Sequence, residues 1–492
     1  MQCNGKGQVT KVSESFLIFT VFRAISPLAV YPSKERTMPD RDKTVAVVGA
    51  GLAGCECARV LARAGIPVVL FEQKPGKRSP AHVADTFSEL VCSNSLRSDE
   101  LASGIGLIKQ ELRDLESPFM AAADACRVPA GKALAVDREK FSRRITDEIL
   151  AEPGISLEER EIDGLDDPVL DGFAYVVIAA GPLASEDLSA SLRAKVGMEH
   201  CYFYDAIAPI VWTHSLDMSV VFRASRYGQE KGETGGDYLN CPMTREEYDR
   251  FYDALAGAQK VHGRDFEKEV HFEGCMPIEA LAERGPKTLC FGPLKPVGFT
   301  DPRTGRRPWA ILQLRAENLN GETCNLVGCQ TKLTYPEQER VFRLVPGLEH
   351  CEFVRFGSMH RNTYVNAPEV LNADSSLKAD PRIFLAGQIS GVEGYVESAA
   401  HGHWVGLELA ARLKGGEITL PPVTTALGAL VNHLQTPAKH FQPSNVHFGL
   451  MPEPGFRLPK KERKEWYAGR GRKDFAEWKA GQNFFQKNEK SC

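Results

Sequence analysis

The residues with the clearest chemical spacing in this 492-residue chain are Gly49, Ala50, Gly51, Leu52, Ala53 and Gly54. They follow a β-branched run at 44–48 (TVAVV) and open a small and apolar stretch that reaches Ala64, with Gly65 placed to end it. A second run at 67–71 (PVVLF) ends in Glu72. Strand, GxGxxG, helix, strand, acid, with the acid about 20 residues past the glycines, is the pattern of a dinucleotide site. Gly49 permits the tight turn, Gly51 lets the backbone approach a pyrophosphate, and Gly54 lets helix and strand pack closely. The helix start turns unpaired N–H groups and a positive dipole end towards the phosphates. Glu72 is expected to accept hydrogen bonds from a ribose diol.

The same unit serves NAD, FAD or S-adenosylmethionine, and two later segments decide between them. Residues 175–180 (YVVIAA) read as a strand ending in Gly181. Residues 381–387 (PRIFLAG) read as another, ending in Gly387 and followed by Gln388, Gly391, Val392, Glu393, Gly394, Tyr395 and a helical run over 396–413. In Rossmann-type flavoproteins such a late strand–glycine–helix unit closes over the flavin. Its helix start faces the pyrimidine ring, which is negative when reduced. Three glycine-ended strands in this order favour FAD. The chain has no second GxGxxG, so NADH or NADPH is expected to bind transiently or to share the flavin site.

Further motifs lie at 87–97 (FSELVCSNSLR), 238–244 (YLNCPMT), 272–279 (FEGCMPIE), 291–298 (FGPLKPVG), 357–363 (GSMHRNT) and 391–400 (GVEGYVESAA). From about residue 44 to 448 the chain resembles the TrmFO family, the folate- and FAD-dependent tRNA (uracil-5-)-methyltransferases. It departs from that pattern in an N-terminal extension, in a longer basic tail, and in His401 and His403, where the family carries smaller and less polar residues. The resemblance implies an α/β protein: a Rossmann-like FAD-binding fold interrupted by an inserted α+β domain. It implies that a nicotinamide reduces FAD, that the flavin captures the methylene group of methylenetetrahydrofolate, and that this carbon reaches C5 of a T-loop uridine, position 54, of tRNA.

Uracil C5 is a poor nucleophile. A thiolate adding at C6 makes C5 enolate-like, and a base must then remove the C5 proton. In the family the cysteines of two motifs form this pair. By that resemblance Cys275 is the nucleophile and Cys92 the general base or flavin-guarding thiol, with the reverse assignment open. The other cysteines read as packing residues, since free cysteine is among the most buried residue types. Cys241 is the third candidate. His360, Arg361 and Asn362 lie near a cofactor strand. Lys295 and Arg315 are candidates to steer a folate tail or RNA phosphates. The stretch 93–97 is a candidate helix cap at the cofactor, and Tyr395 a candidate to stack on a flavin or a pterin.

The 13 cysteines are odd in number, scattered and without a CxxC pair, so neither a disulfide scaffold nor a zinc ribbon is expected. No metal set is expected. A reducing cytoplasm suits the thiols. Net charge is −4, which leaves no global nucleic-acid footprint, and the short apolar runs indicate no membrane protein. Residues 1–41 read as an extension, with translation starting at Met38. The apolar stretch 15–22 is a weak signal-peptide core.

The remaining organisation is expected as an FAD-binding domain over 42–204 and 351–450, an insert over 205–350 that faces the substrate and RNA, and a tail over 451–492. The insert should hold a helix at 244–258 and strands at 288–291 and 309–314. The stretch 456–492 carries 11 Lys/Arg against 5 Asp/Glu, interleaved with Trp466, Tyr467, Phe475, Trp478, Phe484 and Phe485. That composition suits an RNA grip or a terminal helix docked by its aromatics. Other readings of the whole chain are a flavin- and folate-dependent tRNA wobble-uridine enzyme, a flavin-loaded RNA-binding protein without turnover, and an S-adenosylmethionine methyltransferase. The late glycine unit disfavours the last.

Overall fold

The computed structural model describes residues 41–79, 81–197, 201–226, 236–261, 276–438 and 441–482, without the side chains of 201–205, His360 and Arg361. The reading of 1–41 falls outside these residues save for Arg41, as do Cys275, Phe484 and Phe485.

Val45–Val48 and Val68–Glu72 are buried at every position, as β-branched runs are when helices cover both faces of a parallel sheet. They form the middle of a six-stranded sheet. Its order is Ser376–Leu377, Asp380–Leu385, Tyr175–Ile178, Val45–Val48, Val68–Glu72, Ile155–Glu159. All neighbours run parallel except the outermost, Ser376–Leu377. The three glycine-ended strands are therefore adjacent, although about 340 residues of sequence separate the first from the last. Two helices lie against each other beside this sheet, Leu52–Arg63 and Tyr395–Leu413. A Cβ on Gly402 would stand 2.2 Å from the Ala53 carbonyl oxygen, and one on Gly406 would stand 2.9 Å from Val60 Cβ. Only glycine allows that approach. The fold is α/β, as expected.

A second six-stranded sheet is antiparallel throughout. Its order is Phe222–Ala224, Tyr238–Met243, Ala310–Ala316, Thr323–Leu326, Ile210–Trp212, Phe353–Arg355. It has its own core, which includes Cys241, Met243, Phe251, Leu312, Leu314 and Phe342. Helix Arg245–Ala256 covers part of it and starts with a reciprocal cap between Thr244 and Glu247. The chain enters this region along Cys201–Ala206 and leaves along Met359–Tyr364, and those two strands pair antiparallel with Ala206 opposite Met359.

Two local expectations are corrected. Residues 288–291 form a helical turn, Thr288–Phe291, rather than a strand. Gly292 N–H closes back on the Thr288 carbonyl at 3.0 Å, so the carbonyl is satisfied locally without a partner strand. The stretch 93–97 caps no helix but leads into strand Ser95–Ser98. Ser93 Oγ accepts from Ser95 N–H and Ser95 Oγ from Arg97 N–H, each at 3.1 Å, which turns the chain instead. The expected strand at 309–314 is Ala310–Ala316.

The tail forms helix Arg463–Gly481, with Ala468, Gly471, Phe475 and Trp478 buried. Trp478 Nε1 donates to the Thr419 carbonyl at 2.7 Å, so these aromatics dock on the body. No helix among the described residues is long and apolar enough to cross a membrane.

Candidate functional site

Strand Val45–Val48 ends in Gly49, whose φ of +103° suits glycine. A Cβ there would stand 2.7 Å from the Ala179 carbonyl oxygen. A Cβ on Gly54 would stand 1.9 Å from the Gly49 carbonyl oxygen. On Gly51 it would meet nothing closer than 3.9 Å, so the open side of the turn is at Gly51. Helix Leu52–Arg63 starts there with no side-chain cap, leaving its first N–H groups for a ligand. Glu72 ends the next strand. Its Oε2 accepts from Ala50 N–H at 2.8 Å and its Oε1 from Lys74 N–H at 3.0 Å. Each oxygen keeps a second lone pair, so Glu72 braces the turn while remaining able to accept from a ribose diol.

Gly49, Ala50, Gly51, Leu52, Ala53 and Glu72 line a cleft with about 1110 Å³ of space, together with Gly181, Gly387, Gln388 and Tyr395. Gly181 has φ +70° and Gly387 φ +79°. Gly391 and Gly394 also sit at positive φ, at +101° and +108°. Helix Tyr395–Leu413 then starts at Gly394 without a side-chain cap. Two uncapped helix starts on one cleft fit a two-part cofactor: a pyrophosphate against the first helix and a reducible ring against the second. Val392 is fully buried, and Glu393 Oε2 accepts from Gln388 Nε2 at 2.9 Å.

The late glycine turn rests on His401. Its Nδ1 lies 3.2 Å from Gly387 N–H and 3.0 Å from Ser390 Oγ, and its Nε2 lies 3.0 Å from Ser375 Oγ. The ring is fully buried, and burial lowers its pKa from 6.5 to about 4. His403 Nδ1 lies 2.8 Å from Glu56 Oε1, and Glu56 Oε2 accepts from Phe119 N–H at 2.9 Å. Both histidines that depart from the family pattern are thus satisfied core residues.

A second cavity, with about 1140 Å³ of space, adjoins the cleft and shares Val91, Pro182, Leu183, Gln388 and Tyr395 with it. Cys92 lines it and is half-buried. Tyr395 does not present its hydroxyl to open space. Its Oη donates to Cys92 Sγ at 3.0 Å and accepts from Cys92 N–H at 2.7 Å. Burial raises the Tyr395 pKa well above 10, so the phenol stays a donor. Arg315 is buried and Arg138 and Arg355 half-buried, all within electrostatic reach of Cys92. Arg315 donates to Asn94 Oδ1 at 2.8 Å and Ser93 Oγ at 2.7 Å, and Arg355 to the Val91 carbonyl at 3.0 Å. Glu317, 2.7 Å from Arg138, offsets part of this charge, and the arginines in excess of it favour an anion beside the thiol's loop.

Cys275 lies outside the described residues. The described chain resumes at Met276, and Ile278 N–H donates to the carbonyl of Gln330, a lining residue of this cavity. Cys241 is fully buried, and burial pushes its thiol far up, so it reads as packing. Burial pushes Cys55 up to about 12 and raises Cys57 as well. Asn362 lines the cavity; Lys295 is exposed outside both lining sets. Sequence reasoning missed Arg138, Arg355 and the structural use of His401. It also missed Asn445, which lines the cavity and donates to the Glu393 carbonyl at 2.6 Å. None of these sits in a recognisable motif.

A family model described as glucose inhibited division protein A matches residues 44–417. The methylenetetrahydrofolate–tRNA-(uracil-5-)-methyltransferase TrmFO of Nitratidesulfovibrio vulgaris is 67% identical over 437 residues, covering 89% of this chain and 92% of that one. The TrmFO of Lawsonia intracellularis is 60% identical over 434 residues, covering 88% and 97%. Among solved structures, Aquifex aeolicus GidA in its form II crystal has a TM-score of 0.63 at 17% identity, over 92% of this chain and 77% of that one. That last likeness speaks to the fold alone.

Proposed function

Because this chain belongs to the TrmFO family of glucose-inhibited-division-protein-A-type proteins, we propose that it methylates C5 of a T-loop uridine in tRNA, with methylenetetrahydrofolate as carbon donor. FAD, which the Gly49–Gly54 turn, Glu72 and the late glycine turn would hold in the cleft, would supply the redox chemistry between NADH or NADPH and the one-carbon unit. The observation that carries this reading is the continuity of the dinucleotide cleft with the cavity where Tyr395 holds the Cys92 thiol.

The chain's own residues have separable tasks. The turn at Gly49–Gly54 and the first helix start hold the pyrophosphate, and Glu72 holds a ribose. Gly387, Gln388 and the start of helix Tyr395–Leu413 face the ring end. Cys275 adds to uracil C6, and Cys92 removes the C5 proton. The Tyr395 O–H supports a thiolate at Cys92 by charge-assisted donation, and the nearby arginines add to that support. We read the parallel sheet, 42–204 with 351–450, as the cofactor domain and 205–350 as an insert facing the substrate. The tail 451–492 completes the chain, and the cytoplasm, where tRNA and folate are found, is the proposed location.

The test supplies unmodified tRNA transcript, a nicotinamide and methylene-labelled folate to purified FAD-loaded protein. Label is expected on the T-loop uridine and lost in Cys275→Ala. In Cys92→Ala it is expected to fall by about 100-fold or more, the typical worth of a positioned base. A covalent protein–RNA adduct that persists in Cys92→Ala and vanishes in Cys275→Ala fixes the nucleophile; the opposite pattern reverses the two roles. Label at the wobble uridine would replace this reading with the related wobble enzyme.

A further inference from the structure

On the antiparallel sheet, away from the thiol, lies a third cavity with about 1490 Å³ of space. Four cations and two exposed aromatic rings line it: Arg245, Lys287, Arg306 and Arg307 with Phe291 and Trp309. Lys287, Arg306 and Arg307 are exposed and form no ion pair among the described residues. Arg245 pairs loosely with Asp249 at 3.7 Å, and its guanidinium also lies 5.2 Å from the Trp309 ring centre. Asp301, the acid of the lining, is 2% exposed and occupied by Arg303, which donates to it from Nε, Nη2 and its own backbone N–H. The lining therefore presents uncompensated positive charge. Phe291 is 78% exposed and Trp309 39%.

The loop that carries Arg306 and Arg307 is braced. Asp301 N–H donates to the Arg306 carbonyl, and Gly305 N–H to the Asp301 carbonyl, both at 2.8 Å, with Gly305 at φ +66°. Trp309 N–H donates to the Met243 carbonyl at 2.9 Å. The side chains of Arg306 and Arg307 take no part in this bracing. They are held out on a fixed turn rather than tied down by it.

Strand Ala310–Ala316 connects this cavity to the thiol site. Trp309 precedes its first residue, and Arg315, near its end, binds Ser93 and Asn94 beside Cys92. Six residues of strand span about 20 Å. One rigid element thus carries a cationic, aromatic cavity at one end and the proposed methyl-transfer site at the other. Unpaired cations select phosphates, and exposed aromatic rings stack on unpaired bases. We propose that this cavity is a second RNA contact, holding backbone phosphates and an unstacked base of the tRNA about 20 Å from the uridine being methylated. The proposal rests on the tRNA-methylation reading and adds to it the place where the rest of the RNA is gripped.

The test measures binding of unmodified tRNA transcript to the FAD-loaded full-length protein across a potassium chloride series, with labelled methyl transfer in parallel. Arg306→Glu/Arg307→Glu is expected to weaken binding at least tenfold and to flatten the slope of log affinity against log salt by about 1.5, as loss of two phosphate contacts requires. Phe291→Ala is expected to weaken binding about fivefold or more through lost stacking, with the salt slope unchanged. FAD content, nicotinamide oxidation and kcat at saturating tRNA should stay within twofold, while KM for tRNA rises. Unchanged affinity and slope in both variants, with wild-type protein methylating normally, overturn the second contact and leave the function standing. Wild-type protein that binds tRNA but places no label in it overturns the function, and the variants' binding then decides the contact independently.

Discussion

At the scale of single residues, His401 is the side chain whose role the sequence hid. It appeared only as a departure from the family pattern. In the fold its Nδ1 receives the Gly387 N–H and lies 3.0 Å from the Ser390 hydroxyl, which itself donates to the Gly387 carbonyl, so the three groups together shape the late glycine turn. Its pKa is lowered by burial to about 4, so the folded protein holds it neutral at a pH where the unfolded chain takes up a proton. Stability is therefore complete above about pH 6.5 and is lost as pH falls towards 4. Denaturation at pH 7.5 and pH 5 should show wild type losing about 2 kcal/mol more than His401→Gln across that interval. Equal losses would mean that the ring titrates freely in the fold. The turn at Gly49, Gly51 and Gly54, braced by Glu72, was legible because close backbone approach constrains residue type at fixed spacing. Arg138, Arg315 and Arg355 gather around Cys92 from three separate elements, and no local spacing encodes such a meeting.

At the scale of elements, the β-branched runs and the helix-length apolar stretches were readable, because burial on both faces of a parallel sheet leaves a continuous hydrophobic signal. Short elements were not. Residues 288–291 carry the same residue types as a strand but close on themselves as a helical turn. The contact between helices Leu52–Arg63 and Tyr395–Leu413 sets the spacing of the two uncapped helix starts. Gly402→Ala puts a methyl group 2.2 Å from a backbone oxygen that cannot rotate away. It is expected to cost about 1–3 kcal/mol or more and to lower FAD retention after gel filtration. Gly469→Ala is the control: it lies exposed in helix Arg463–Gly481 with no atom within 4 Å of the new methyl. It is expected to stabilise by about 0.5–1 kcal/mol. If both substitutions behaved alike, close helix approach would not limit the cofactor site.

At the scale of the whole molecule, the basic composition of the tail is legible in the sequence but its use is not, because charge and docking leave overlapping signals. Phe475 and Trp478 are buried against the body. Phe475→Ala should cost about 3–5 kcal/mol in thermal or chemical denaturation and leave the salt slope of RNA binding unchanged. A changed slope with intact stability would return the tail to the RNA. The adjacency of Asp380–Leu385 and Tyr175–Ile178 has a consequence for how the protein is born. Ribosomes add roughly 5–20 residues per second. The strand Tyr175–Ile178 therefore emerges about 10–40 s before the partner that completes its side of the sheet. During that interval a nascent chain displays an apolar, unpaired parallel edge, the kind that invites mispairing with a neighbour. Synthesis rate and chaperone access, as much as the mature contacts, then govern how much active protein a cell obtains.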